Sequence, residues 1–378
     1  MVRKGSKPLG EARLDQPRAQ TKEDETAPSF SPHRITLETF HHLLSIYEAT
    51  VSQVHRRKVT LKLQPKPAKG SKEKAGAPVI TKTEFNDSEE KQIREQTDKF
   101  LELDRWRYET LPNIVAERKA CAGEKEGNET DRGYLLKEEL VDIMDWKMKH
   151  GVFRPALMGM VKSNPDKTVT QSTSTAFAVL PDADPISAPA EAFPKSSLDA
   201  LTSPLRGVGP ATASLILSIG TIFGDANMQV PFYSDDVYLW LVLNDFRQSA
   251  DEEEKPSTNK KPNGELIAKY NVNEYRDLWN AVQKLRARLN ADDTKAQASN
   301  REPVSLADIE KVAYVIRNIA LSGFAGQGLE TISQESAIIE PLEPPKKETA
   351  TVEISQKRKS EADTADVTTK RQSKRLKQ

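Results

Sequence analysis

The stretch WKMKHGVFRPALMGMVKSN interleaves the aromatic side chain of Trp146 with Lys147, Lys149, His150, Arg154 and Lys162. Cations beside an aromatic face suit a surface that tracks phosphates, or a platform on which a base stacks. The same pattern also fits a helical hairpin that keeps Trp146 in its core and its lysines in water. A second stretch, VPFYSDDVYLWLVL, sets Asp235 and Asp236 directly after Ser234. A serine hydroxyl that accepts a backbone N–H, followed by two acids at the positive end of the peptide dipoles, is what any helix start prefers. A third stretch, SPLRGVGPATASLILSIG, centres on Gly207-Val208-Gly209-Pro210. The glycines supply backbone conformations that other residues resist. Pro210 suits the first turn of a helix, where its missing N–H costs nothing. Ala211, Thr212, Ala213 and Ser214 are small enough to let two helices approach closely.

The elements that must hold these groups read as helices. Around the glycine turn, a short helix over Ser197 to Ser203 ends with the help of Pro204, and a second begins at Pro210. Upstream, YLLKEELVDIMDWKMKHG stripes Leu136, Leu140, Ile143 and Met144 along one face and stops at Gly151. RPALMGMVKSN and KTVTQSTSTAFAVL form two further short helices. NDSEEKQIREQTDKFLELDRWRYETLP opens on capping residues and is broken by Leu111-Pro112. VNEYRDLWNAVQKLRARL and SLADIEKVAYVIRNIAL carry apolar residues at helical spacing. Nothing alternates with period two for long enough to make a sheet. The fold class expected is all-α: a helical core over residues 86–327, with a solvated insertion at 247–268. Residues 1–34 and 328–378 read as disordered tails, and 35–85 as an amphipathic helix followed by a basic linker.

The glycine turn resembles the helix-hairpin-helix motif, leucine-x-Gly-Val-Gly-x-x-Thr-Ala. Leu205, Gly207, Val208, Gly209, Thr212 and Ala213 match it. The resemblance implies that amides at the bend and at the following helix start clasp a phosphate without reading a base, with Arg206 and the Thr212 hydroxyl in support. The wider pattern, from about Tyr134 to Leu321, resembles the DNA glycosylase superfamily built around this hairpin, of the endonuclease III and adenine-mismatch type. That family places a catalytic aspartate at the start of the helix after the hairpin. Fixing the register on Val237 puts Ser234 at that position, so Asp235 or Asp236 takes the role only if the helix start shifts. Asp235 is nearest the register. Its implied task is to stabilise an oxocarbenium-like sugar or to orient a water at C1′ of a flipped nucleotide. Ala211 stands where bifunctional members carry a lysine, and the cluster cysteines of many members are absent.

Composition narrows the classes. Among 378 residues, Lys+Arg and Asp+Glu both total 56, so only local patches attract a polyanion. One cysteine, Cys121, excludes a disulfide framework or a four-cysteine cluster within one chain. Five histidines without a ligand spacing leave no metal site to expect, and no cofactor is implied. No apolar run is long enough to span a bilayer and no signal-peptide core is present, so the expectation is a soluble intracellular chain. Two basic clusters near the end, Lys357-Arg358-Lys359 and Lys370-Arg371 with Lys374-Arg375 and Lys377, resemble a bipartite nuclear localisation signal and imply a nuclear import receptor as partner. The reading that follows is a nuclear DNA-associated protein. Hairpin amides, Arg206, Lys147, Lys149 and Arg154 grip phosphates with little sequence preference and without catalysis. Its alternatives are an active monofunctional DNA glycosylase and an interaction scaffold for a chromatin or repair protein.

Overall fold

Asn86 opens a long helix by reciprocal capping: its side chain accepts from the Glu89 amide, and the Glu89 carboxylate accepts from the Asn86 amide. That helix and its neighbours belong to one folded unit. The computed structural model describes residues 29–65, 82, 84–122, 133–225, 228–247, 257–261, 265–295 and 302–324. Both terminal stretches, most of the basic linker and the basic clusters around Lys357 and Lys370 lie outside the described residues.

The described residues are helical, with no strand and one isolated bridge between Lys260 and Leu266. In chain order the helices are α1 (Leu37–Ser45), α2 (Tyr47–Lys62), α3 (Asp87–Arg105), α4 (Leu111–Ala122), α5 (Lys137–His150), α6 (Pro155–Lys162) and α7 (Asp166–Ala178). A short α8 (Pro189–Ala192) precedes α9 (Lys195–Thr202), α10 (Pro210–Thr221), α11 (Asp235–Leu241), α12 (Val272–Lys295) and α13 (Leu306–Arg317).

Three features differ from the sequence reading. Leu111-Pro112 does not break the helix. A π turn over Trp106–Thr110 joins α3 to α4, and the Leu111 amide bonds to the Trp106 carbonyl. The wider turn absorbs the donor that Pro112 lacks, and it turns Arg107 and Tyr108 into the interior. The folded unit also begins earlier than composition indicates. Phe30 and Ile35 are fully buried, the Trp240 indole donates to the Phe30 carbonyl (2.8 Å), and Arg288 donates to the carbonyls of Pro32 and Ile35. Helices α1 and α2 pack on α13, and α2 also packs on α3. Finally, the described parts of the 247–268 segment are not merely solvated. Leu266 is buried, and Asp245 accepts from Ser257 and Asn259.

Aromatic side chains anchor a largely aliphatic core. Trp146, Trp240, Trp279, Tyr233 and Tyr275 are among its largest fully buried side chains. Trp146 sits on α5, which packs against α3, α6 and α7. Its indole donates to Asp104 Oδ1 (2.7 Å), which also accepts from the Tyr47 hydroxyl (3.2 Å). A buried polar group with its partners in place fixes orientation as well as packing. Arg107 and Glu310 form a second buried polar centre at 2.8 Å, with the Tyr108 hydroxyl on the other Glu310 oxygen.

Candidate functional site

The bend between α9 and α10 is held from beneath. Gly207 has φ +77°, and a Cβ built on it would lie 2.9 Å from Met160 Cβ and 3.2 Å from Val161 Cγ2 of α6. Glycine is thus required there by conformation and by close approach. Asn164, at the end of α6, clamps the bend. Its Oδ1 accepts from the Arg206 amide (2.8 Å) and its Nδ2 donates to the Arg206 carbonyl (3.0 Å). Val208 is buried beneath the turn, while Arg206 and Gly209 are exposed. Gly209 caps α10, and Pro210 occupies its first turn. The amides of Gly207, Val208, Gly209 and Ala211 donate to no described residue. Four main-chain donors therefore remain at one edge of the fold.

Beside this bend lies a cleft of about 220 Å³. Five separate segments wall it: the end of α5 with Gly151–Arg154, Leu157 of α6, the bend from Gly207 to Thr212, Phe232–Asp236, and Tyr270. Asp235, Asp236, Lys147, Arg154, Gly207, Gly209 and Thr212 all line it. Lys149 does not; its ammonium pairs with Asp145 one turn earlier at 2.6 Å. Thr212 faces inward rather than outward: it is buried, and its hydroxyl accepts from Lys147 Nζ at 2.8 Å.

The charged side chains are held differently. Ser234 caps α11 by accepting from the Asp236 amide (3.2 Å), as its position promised. Asp235 Oδ1 accepts from the Tyr270 hydroxyl (3.0 Å), whose oxygen accepts from Arg154 Nη2 (3.1 Å), and Arg154 pairs with Glu265 (3.0 Å). Tyr270 holds that place with φ +53°, a conformation rare for a bulky residue and frequent where a site over-determines its backbone. The Asp236 carboxylate makes no hydrogen bond or ion pair with any described residue. Burial raises its pKa, the charge of Asp235 adds to this, and Lys260, Arg317 and Lys58 oppose it.

Burial, with Arg154 nearby, lowers the Lys147 ammonium to about 8, against the pull of Asp235. Lys58 of α2 is lowered to about 8 mainly by burial. Its Nζ donates to the carbonyls of Lys149 (2.9 Å), His150 (2.7 Å) and Gly151 (3.4 Å), which end α5. A lysine at these carbonyls satisfies acceptors that the helix leaves open. His150 stacks on Trp146 at 4.6 Å between centroids and leans on Tyr314 at 4.2 Å. Burial, then the charges of Lys58 and Arg107, push its pKa well below the ordinary histidine value, so the ring is neutral at pH 7.

Chemically, the cleft offers apolar side chains, a carboxylate open to an occupant, and an amine whose proton comes off near pH 8. A free carboxylate can orient water or stabilise developing positive charge. Among the described residues no group of His, Cys, Asp and Glu is arranged to hold a metal ion. Tyr270, Asn164, Lys58 and Glu265 escape sequence reasoning. Only Asn164, in an Asn-Pro pair after an apolar run, carries a local signal, that of a turn. No helix among the described residues is long and apolar enough to cross a membrane. No protein-family model, curated protein or solved structure matches the chain.

Proposed function

We propose that the protein binds DNA through its sugar–phosphate backbone, with the bend between α9 and α10 as the grip and the adjoining cleft as the place where one nucleotide is received. The observation that carries this reading is the set of unpartnered amides from Gly207 to Ala211 at the rim of a cleft lined by Asp235 and Asp236. Main-chain donors at a helix start bind phosphate oxygens and carry no sequence information. Exposed Arg206 adds charge beside them. Lys147 and Arg154 lie inside the cleft, where they meet the phosphate of an extruded nucleotide rather than the outer backbone. Nuclear import through the C-terminal basic clusters belongs to the same proposal.

The test is the affinity of the full chain for an undamaged duplex as a function of salt. Backbone contact requires log K to fall linearly with log salt, by about 0.9 per phosphate engaged. A slope near zero, or no binding at low salt, refutes the reading and leaves the helical core as a protein-docking scaffold.

A second reading is favoured by the unpartnered carboxylate of Asp236. In it the protein excises a base hydrolytically: the C1′–N bond breaks with its electron pair on the base, water supplies the new C1′–O bond, and the water's proton passes to the carboxylate and from there to the base nitrogen, so the base leaves neutral and the carboxylate is restored. Release of free base from a panel of damaged or mismatched duplexes, lost in Asp236→Asn, supports excision. An inactive wild type across that panel leaves binding alone.

A further inference from the structure

The walls of the cleft divide into two chemistries. One side is ionic, with Asp235, Asp236, Lys147 and Arg154. The other is the end of α5, where Met144, Trp146 and Met148 leave one polar side chain among apolar ones, His150. This histidine is only 7% exposed, yet its Nε2 has no hydrogen-bond partner. Leaving a buried polar atom without a partner is costly, and native proteins satisfy nearly all of them. His150 lines the cleft although Nε2 itself is closed to solvent, so an occupant supplies the missing partner where the apolar wall around that nitrogen gives way.

The ring is unusually well fixed for that purpose. Trp146 lies against one part of it and Tyr314 against another, at interplanar angles of 25° and 36°. Trp146 is itself tied to Asp104 through its indole N–H. The charged groups facing the ring are Lys58, whose Nζ holds the His150 carbonyl, and Arg107, whose guanidinium lies over Trp146 at 5.0 Å. Both disfavour a second positive charge, so the imidazole meets its occupant uncharged. A neutral imidazole presents one donor and one acceptor in a fixed plane.

We infer that His150 is the specificity-determining residue of the cleft: it reads the polar edge of one uncharged heteroaromatic ring, a nucleobase turned out of its stack, while Met144, Met148 and Phe232 take the ring's faces. This rests on the DNA-binding reading for the source of the base, but not for the chemistry of the contact. The nearby carboxylates act on the sugar side of such a nucleotide, and His150 on its base.

The test uses the full chain and short duplexes with one central purine opposite an abasic analogue, where extrusion costs least. The purine is adenine, hypoxanthine, 2-aminopurine or unsubstituted purine, which differ only along their edges. Wild type is expected to spread these over roughly tenfold in Kd, the worth of one hydrogen bond. His150→Phe keeps the stack on Trp146 and Tyr314. It is expected to bring the four within about twofold while affinity for a fully paired duplex stays unchanged. His150→Gln, which retains hydrogen bonding, is expected to keep a spread with a different order. Equal affinities in wild type, or an unchanged spread in His150→Phe, overturns the inference. If wild type binds no duplex, the DNA-binding reading has failed by itself. The His150 contact is then decided by its imidazole nitrogen shifts on addition of the four free nucleosides. A nucleoside-dependent shift upholds it, and none refutes it. The same measurement decides the question if His150→Phe fails to fold.

Discussion

Two glycines two residues apart should fail in opposite ways when each is replaced by alanine. At Gly207 the backbone lies at φ +77°, which costs an L side chain about 1–2 kcal/mol. The new methyl would also meet Met160 Cβ at 2.9 Å and the Leu157 carbonyl oxygen at 3.3 Å. Relieving such overpacking costs about 1–3 kcal/mol more. Gly207→Ala should therefore lose roughly 2–5 kcal/mol of folding stability, the sum of those two costs. At Gly209 the backbone is extended (φ −96°, ψ −177°), and nothing lies within 4 Å of a built Cβ. Alanine there fits the fold and should be neutral, or stabilise by about 0.4–1 kcal/mol through the unfolded chain. Its methyl, however, stands on the open side of the bend, where a phosphate must come close to reach the amides. Gly209→Ala should then weaken duplex binding roughly tenfold and lower the salt slope by about 1. Urea unfolding followed by fluorescence reads the first quantity, and fluorescence anisotropy at several salt concentrations reads the second. A Gly207→Ala loss below about 1 kcal/mol would show that α6 yields to the bend, against the packing argument. A Gly209→Ala protein that folds and binds like wild type would show that the bend does not grip phosphate.

Other consequences follow from buried charge. Arg107→Met strands Glu310 in the interior and should cost about 3–5 kcal/mol in urea unfolding; adding Glu310→Leu should recover most of that loss, because the second charge goes too. The Asp236 pKa is raised on folding, so its contribution to stability is present at low pH and lost as pH rises above the ordinary carboxylate range. Asp236→Asn should accordingly melt higher than wild type at pH 7, with the gap closing towards pH 3; an equal or lower Tm at pH 7 would contradict the burial argument. Lys58 and Lys147 titrate near 8 in the folded protein against 10.5 when exposed. Between those values the folded state holds fewer protons on each of these lysines, so unfolding at pH 9 should take up about one proton fewer in Lys147→Met than in wild type, as potentiometric titration would measure.

How much of this was legible depended on whether the cause was local. The end of α5 at Gly151, the start of α10 at Pro210 and the Ser234 cap on α11 rest on side chains within a few residues, and each is in place. The continuity of α3 into α4 was not legible, because a proline reads as a break unless a π turn is anticipated. The N-terminal segment looked detached since the charged composition of residues 1–34 hides Phe30, and Ile35 stands outside the helical stripe that marks Phe40, although all three are core residues. Within the cleft, acids and bases were found by type, but their pairing was not. Thr212 and Lys147 are 65 residues apart and Tyr270 and Asp235 are 35 apart. Lys58 reaches the end of α5 across 92 residues. Such contacts are settled by packing, and no local pattern encodes them.

The same packing bears on which acid matters. Register alone points to Ser234 and, next to it, Asp235. Yet Ser234 is buried and engaged with the Asp236 amide, so its hydroxyl serves the helix. Asp235 is the terminus of a chain that runs from Glu265 through Arg154 and Tyr270, and its charge helps to keep Lys147 protonated. Freeing it for chemistry would strand Tyr270, which holds a strained backbone to reach it. Asp236 carries no such duty, and its surroundings push its proton affinity up. Two carboxylates with unequal environments divide accordingly: Asp235 orders the ionic wall, and in the proposed function the contact with an occupant falls to Asp236. Asp235→Asn should therefore disturb the wall, seen as a lower Tm and a lower Lys147 pKa. Asp236→Asn should leave both walls in place, raise Tm at pH 7 as argued above, and change what the cleft does to its guest.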